Sequence, residues 1–277
     1  MSCKQCSQST DSKCAQLTSL LKKNQGVAAA YCNADFMVGW SSGRPSWDPA
    51  EDGDYLNGIP LPPGGEAACR VRTSGSLLTV WKIPLTMTSQ TGSNTVANAL
   101  PGVPGMPESG AIAMAIDGVP MFPNYNNRGL PTWVSCEVDR CNAHSGKGND
   151  YHYHGDPYGT KCLYDDEDYS NTTHPPVIGF ALDGYTIYGR YTEETQDGIG
   201  EALDSCGGHT HTIDGISVYH YHPAVEENVA TDSLDGVSGS GFTYTAYRLA
   251  PTTCWKGNVD IISNFWDSDG RQPNYDR

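Results

Sequence analysis

The chain has 277 residues, with 32 acidic against 17 basic side chains and a formal charge of −15 at pH 7. That balance argues against nucleic-acid backbones and anionic membrane surfaces as partners. Its 31 glycines, 18 prolines and 16 tyrosines favour short strands and loops over a helical bundle, and no apolar stretch approaches the roughly 20 residues of a membrane span.

Ten cysteines, even in number and scattered through loop-like sequence, predict mostly disulfides and hence an oxidising compartment. Residues 1–35 hold four of them, including Cys3-x-x-Cys6, a weak redox or zinc signal at a polar terminus. One helix is predicted over Cys14–Asn24, with Leu17, Leu20 and Leu21 on one face. The segment reads as a disulfide-pinned cap on a main domain of residues 36–277. The abrupt "MSCKQC" start reads as a mature form with its targeting sequence removed. From Phe36 to Gly65 the Trp-, Pro- and Gly-rich sequence predicts a long ordered loop region. Cys69–Met87, "CRVRTSGSLLTVWKIPLTM", then reads as two strands around a turn.

Beyond this point the sequence repeats itself. "IAMAIDGVPMF" (Ile112–Phe122) aligns without gaps to "IGFALDGYTIY" (Ile178–Tyr188), "CNAH" (Cys141–His144) to "CGGH" (Cys206–His209), and Tyr151–His154 to Tyr219–His222, both reading YHYH. The offsets are 66, 65 and 68 residues, so the pattern predicts an internal duplication with small loop indels. Each unit, about 111–156 and 177–223, reads as strand, Asp-Gly turn, strand, variable loop, Cys-x-x-His and a His-Tyr-His strand. Glycine supplies the positive φ that the Asp117-Gly118 and Asp183-Gly184 hairpin turns need. The acidic "CLYDDEDYSNTTHPP" between the units reads as a solvated connection, with calcium binding as the alternative, and carries a glycosylation sequon at Asn171. After Ala224 the chain is polar and Gly/Ser-rich, with strand-like "GFTYTAYRLA" and a Trp-containing tail. The fold class expected is therefore mainly β, with long loops and a few short helices. Its two repeated β units would pack as one domain about a pseudo-two-fold axis.

Alternate strand residues share a face, so His152 and His154 point one way and Tyr151 and Tyr153 the other. The same holds for His220 and His222. Two imidazoles two residues apart on a strand form a ready bidentate metal clamp, and imidazoles with few acidic neighbours favour zinc or copper. The four are expected to meet at one zinc, about one ion per chain, with a Tyr/His hydrogen-bond network as the alternative. Cys141 and Cys206 are read as either disulfide partners or thiolate ligands.

"NAHSGKGNDYHYHGDPYG", "HPPVIGFALDGYTIYG" and "LDSCGGHTH" resemble the YHYH-domain family over roughly Ala111–Pro223. The His-rich second unit, "CGGHTH" with a full YHYH, is similar to the Cys-Gly-His-rich theta-class carbonic anhydrases of diatoms and related algae. That resemblance implies zinc-dependent hydration of carbon dioxide to bicarbonate, in the thylakoid lumen. Three protein ligands and an open position would make hydroxide available at neutral pH. His144 and His209 are then candidates for the proton-carrying imidazole, and Asp183, with its equivalent Asp117, for a carboxylate supporting the site, with turn formation as the competing role of both aspartates. The rival readings are a non-catalytic extracytoplasmic zinc or copper protein, with secretion as the alternative localisation, and a purely structural module.

Overall fold

A computed structural model describes residues 12–21, 26–45, 79–87, 111–125, 132, 138–146, 150–169, 174–192, 202–230, 242–252, 254–257 and 259. These residues form thirteen strands and one α-helix, mainly β as the composition predicts. Cys3, Cys6, Cys69, Cys136 and the Asn171 sequon lie outside them, as does the first strand expected in Cys69–Met87.

Helix α1 (Ser12–Leu20) begins two residues earlier than the apolar spacing suggests. Leu17 and Leu21 are buried, and Cys14 is bonded to Cys32 on β1 (Val27–Cys32). The expected boundary at residue 35 is crossed by a hairpin, because β1 pairs antiparallel with β2 (Phe36–Ser41). The Asn33 side chain closes its turn by accepting from the amides of Asp35 and Phe36, at 2.8 and 2.7 Å. The start of the supposed loop region is thus a strand, and β3 (Thr79–Pro84) completes a three-stranded sheet on it. Gly39 is required there: a Cβ would lie 2.2 Å from the ring of Trp81, which is fully buried. This sheet meets the larger one where Ser41 Oγ donates to Gly118 O at 2.7 Å.

The larger sheet has eight strands. They are β4 (Ala113–Ala115), β5 (Pro120–Met121), β6 (Ala143–Ser145), β7 (Tyr151–Tyr153), β8 (Val177–Ala181), β9 (Thr186–Tyr188), β10 (Gly208–Ile213) and β11 (Ile216–Tyr221). Their spatial order is β10-β11-β9-β8-β4-β5-β7-β6, with β4 and β8 antiparallel at the centre. Outward from β4 the pairings run antiparallel to β5, parallel to β7 and antiparallel to β6. Outward from β8 they run antiparallel to β9, parallel to β11 and antiparallel to β10.

Both Asp-Gly turns are hairpin turns as predicted. Gly118 and Gly184 sit at φ +82° and +94°, and their amides donate to Ala115 O and Ala181 O at 2.9 Å. The Cys-x-x-His segments are turns too. Asn142 and Gly207, one after each cysteine, take φ 57° and 84°, where Asn and Gly are tolerated. Asp139 and Asp204 cap these turns by accepting from the amides of Cys141 and Ala143, and of Cys206 and Gly208. The carbonyls of Asn142 and Gly207 then receive the amides of His154 and His222, at 2.7 and 3.0 Å. Each turn thereby fixes the end of its His-Tyr-His strand.

A separate hairpin, β12 (Ala224–Ala230) with β13 (Phe242–Arg248), follows. The tail then returns to the large sheet, where Trp255 is buried and its Nε1 donates to Ile112 O at 3.2 Å.

Candidate metal centres

The alternation of the YHYH strands sorts side chains as predicted. All four tyrosines end on aspartates. Tyr153 donates to Asp117 (3.0 Å) and Tyr151 to Asp139 (2.8 Å), while Tyr221 donates to Asp183 (2.7 Å) and Tyr219 to Asp204 (3.1 Å). Burial pushes the pKa of Asp139 up to about 6 despite its hydrogen bonds from Tyr151 and two amides. Burial likewise raises Asp183, against the pull of Tyr221 and the Gly257 amide.

Asp183 and Asp117 take the turn-forming role that the sequence offered beside the supporting one. Asp183 Oδ2 is taken by Tyr221 and by Gly257 N (2.9 Å), and Oδ1 accepts from Tyr185 N (3.3 Å). Both aspartates form turns and anchor tyrosines, on the side of the strands away from the imidazoles. The carboxylate beside a triad histidine is instead Asp150, whose Oδ2 lies 3.7 Å from His152 Nδ1.

On the other face, all eight histidines of the chain gather in two clusters. The first is His144, His152 and His154. His144 and His152 face each other across β6 and β7, and His144 Nε2 lies 3.0 Å from His152 Nε2 and 3.1 Å from His154 Nε2. The opposite ring nitrogens are spoken for. His152 Nδ1 donates to Asp150 O at 2.8 Å and His154 Nδ1 to Pro123 O at 2.5 Å. That tautomer leaves both Nε2 atoms as lone pairs aimed at His144, whose one nitrogen has at most one proton to share between them. A cation resolves the conflict. Zinc–nitrogen bonds of about 2.0–2.1 Å at tetrahedral angles place donor nitrogens about 3.3 Å apart, close to what is observed. Phe122 stacks on His152 with ring centroids 4.0 Å apart and forms an apolar wall.

The second cluster repeats the register and the carbonyl anchors of the first and adds two histidines. His209 and His220 face each other across β10 and β11. His220 Nδ1 donates to Val218 O (2.9 Å) and His222 Nδ1 to Gly189 O (2.8 Å). Two sets of three imidazoles have donors within 4.8 Å of one another: His209, His220 and His222, and His174, His211 and His220. His174 Nε2 lies 3.3 Å from His220 Nε2. Burial lowers the pKa of His220 to about 3 and holds those of His154 and His222 well below 6.5. These imidazoles are neutral at pH 7, the form that binds metal.

The four YHYH histidines therefore do not share a pocket. Between β7 and β11 stand β5, β4, β8 and β9, and no set of three or more donors within 4.8 Å of one another combines His152 or His154 with His220 or His222. His144 and His209 do not stand apart as proton carriers either; each joins the donors of its own cluster. Cys141 and Cys206 are not ligands, being bonded to Cys162 and Cys254. The sequence reading missed His174, in the supposedly inert connection, and the capping aspartates Asp139 and Asp204. Asp-x-Cys-x-x-His recurs in both units and was the available signal for the latter.

Residues 80–202 match the family described as YHYH protein. The match contains the first histidine cluster and His174, and it ends before His209, His211 and the second YHYH. Neither a curated protein nor a solved structure matches the chain significantly. The three disulfides among the described residues fit an oxidising extracytoplasmic compartment. Among the described residues no helix is long and apolar enough to cross a membrane.

Proposed function

We propose that the chain is a zinc-dependent enzyme hydrating carbon dioxide to bicarbonate, with His144, His152 and His154 as the ligands of its reactive centre. The observation that carries the reading is the approach of His144 Nε2 to His152 Nε2 at 3.0 Å and to His154 Nε2 at 3.1 Å, with the rings of His152 and His154 fixed from behind by main-chain carbonyls. Three imidazoles with a fourth position left to solvent are the ligand set of zinc hydrases. Zinc so held supplies hydroxide at neutral pH by Lewis acidity.

The protein's own residues supply the rest. Phe122 offers an apolar face suited to a small linear molecule without a dipole, and it shields His152 from water. The carbonyls of Asp150 and Pro123 hold His152 and His154 in one tautomer, so no ligand must reorient during turnover. The Asp150 carboxylate is 43% exposed and stands at the solvent edge beside His152, where it receives the proton released by hydration. An algal thylakoid lumen is the compartment that the theta-class resemblance implies, and it is part of this proposal.

The test is stopped-flow hydration of carbon dioxide by zinc-loaded protein at pH 8, beside the chelated protein. A rate above the metal-free blank that disappears in His154→Gln supports the reading. Zinc-loaded protein no faster than the blank overturns it and leaves a metal-binding protein.

A further inference from the structure

We infer that the second cluster is a metal site of a different kind: a closed, imidazole-rich seat for one late first-row divalent ion, filled before the triad of His144, His152 and His154. Its core, His209, His220 and His222, has the register and carbonyl anchors of the first triad. The difference lies in what surrounds that core. His174 and His211 bring two more imidazoles. The His174 ring centroid lies 5.1 Å from that of His220, 5.3 Å from His222 and 5.6 Å from His211.

The two sets of three donors share His220, and this decides the count. His220 has given Nδ1 to Val218 O, so a single nitrogen remains and it binds one ion at a time. The two sets therefore describe the neighbourhood of one ion with up to five imidazoles around it. A second observation points to that ion. His222 is 1% exposed, and its Nε2 is buried with no hydrogen-bond partner. A buried nitrogen lone pair is costly to leave unmatched.

The walls differ as well. Where Phe122 covers the first triad, Tyr188 and Tyr191 line the second, with Tyr191 Oη 3.5 Å from His209 Nε2. An all-nitrogen set of four or five imidazoles suits copper(II), nickel(II) or zinc, and more donors hold the ion more tightly. With its positions taken by protein, the seat has no room for a reacting molecule. It retains an ion and ties β10 and β11 to the chain ahead of β8.

Cobalt(II) titration of the chelated full-length chain tests this by visible absorption. The first equivalent is expected to give a spectrum that azide does not change, and the second a spectrum that azide does. His209→Gln with His222→Gln should remove the first, and His144→Gln with His154→Gln the second. His174→Gln with His211→Gln should weaken the first equivalent roughly tenfold or more and make it azide-sensitive. These two histidines are partly exposed, and near-UV circular dichroism checks the fold. If the pair misfolds, His174→Gln alone carries the same test. Binding of only one equivalent, or a His174/His211 variant that titrates like the parent, overturns the proposal. Hydration assayed on the same samples separates the two readings: two equivalents without turnover sinks the enzyme alone.

Discussion

Asp156 and Arg190 form a buried ion pair, with Arg190 Nε 2.5 Å from Asp156 Oδ2, the arginine side chain 18% exposed and the aspartate fully buried. Asp156 follows His154 by two residues, and Arg190 follows Gly189, whose carbonyl anchors His222. The pair thus joins the backbone of one histidine cluster to that of the other. Tyr164 donates to Asp156 at 2.6 Å, and the rings of Tyr158 and Tyr247 cover the guanidinium at 4.3 and 3.8 Å. Burial pushes the Asp156 pKa up, and Arg190 and Tyr164 pull it back.

Removing one partner leaves an uncompensated buried charge. Arg190→Met is expected to cost about 3–5 kcal/mol in urea unfolding. Asp156→Asn combined with Arg190→Met should cost less than the sum of the single changes, since neither charge then remains. A double-mutant cycle on metal-free protein measures this.

Because the two clusters lie on opposite flanks of the sheet, their substitutions should act independently. His152→Ala is expected to abolish hydration and remove one equivalent of metal. His220→Ala should remove the other equivalent and leave the rate intact. Elemental analysis with rate measurement checks both, and loss of rate in both variants would restore a single shared site.

The tyrosines should be separable from the metals. Tyr221→Phe deprives Asp183 of one hydrogen bond and leaves a buried oxygen short of a donor, an expected cost of about 1–3 kcal/mol. Metal content and the cobalt spectra should not change. Tyr153→Phe, at Asp117, should behave alike.

The pH dependence of metal-free protein has two opposing parts. His220, lowered to about 3, binds fewer protons when folded than when unfolded. Its contribution is present above pH 6.5 and is lost as pH falls toward 3. Asp139, raised to about 6, contributes below its unfolded value of 3.8 and loses that contribution as pH rises through 6. In urea midpoints, His220→Gln should flatten the acid-side loss, and Asp139→Asn should raise stability at pH 7 relative to pH 4 more than in the parent.

The histidine-bearing strands and the Asp-Gly hairpins were legible because their determinants are local: two-residue alternation, and glycine where φ is positive. That the four YHYH imidazoles separate was not, because it depends on β4 pairing with β8. Runs of three and five residues, mostly apolar and buried, do not announce their partner. Cys141 and Cys206 stayed ambiguous because a cysteine ahead of a histidine serves a disulfide or a metal equally well. The deciding partner, Cys254, lies 48 residues beyond Cys206. His174 escaped notice for the same reason: it reaches His220 across 46 residues from a stretch with no periodicity.

The rings of His152, His154, His220 and His222 are each aimed by a main-chain oxygen, from Asp150, Pro123, Val218 and Gly189. No side-chain replacement at those four positions deletes the oxygen, so alanine scanning would pass over the parts that point the ligands. At Pro123 and Val218 the side chain can change while the carbonyl stays where the strand end puts it, whereas Asp150 also offers its carboxylate and a Cβ at Gly189 would lie 2.5 Å from the Tyr164 ring. At Pro123 and Val218 the aiming apparatus is consequently invisible to sequence comparison and exposed only to insertions, deletions or proline-induced bends. A one-residue deletion between Pro123 and the strand before it should damage the first centre more than exchanging Pro123 for any other amino acid.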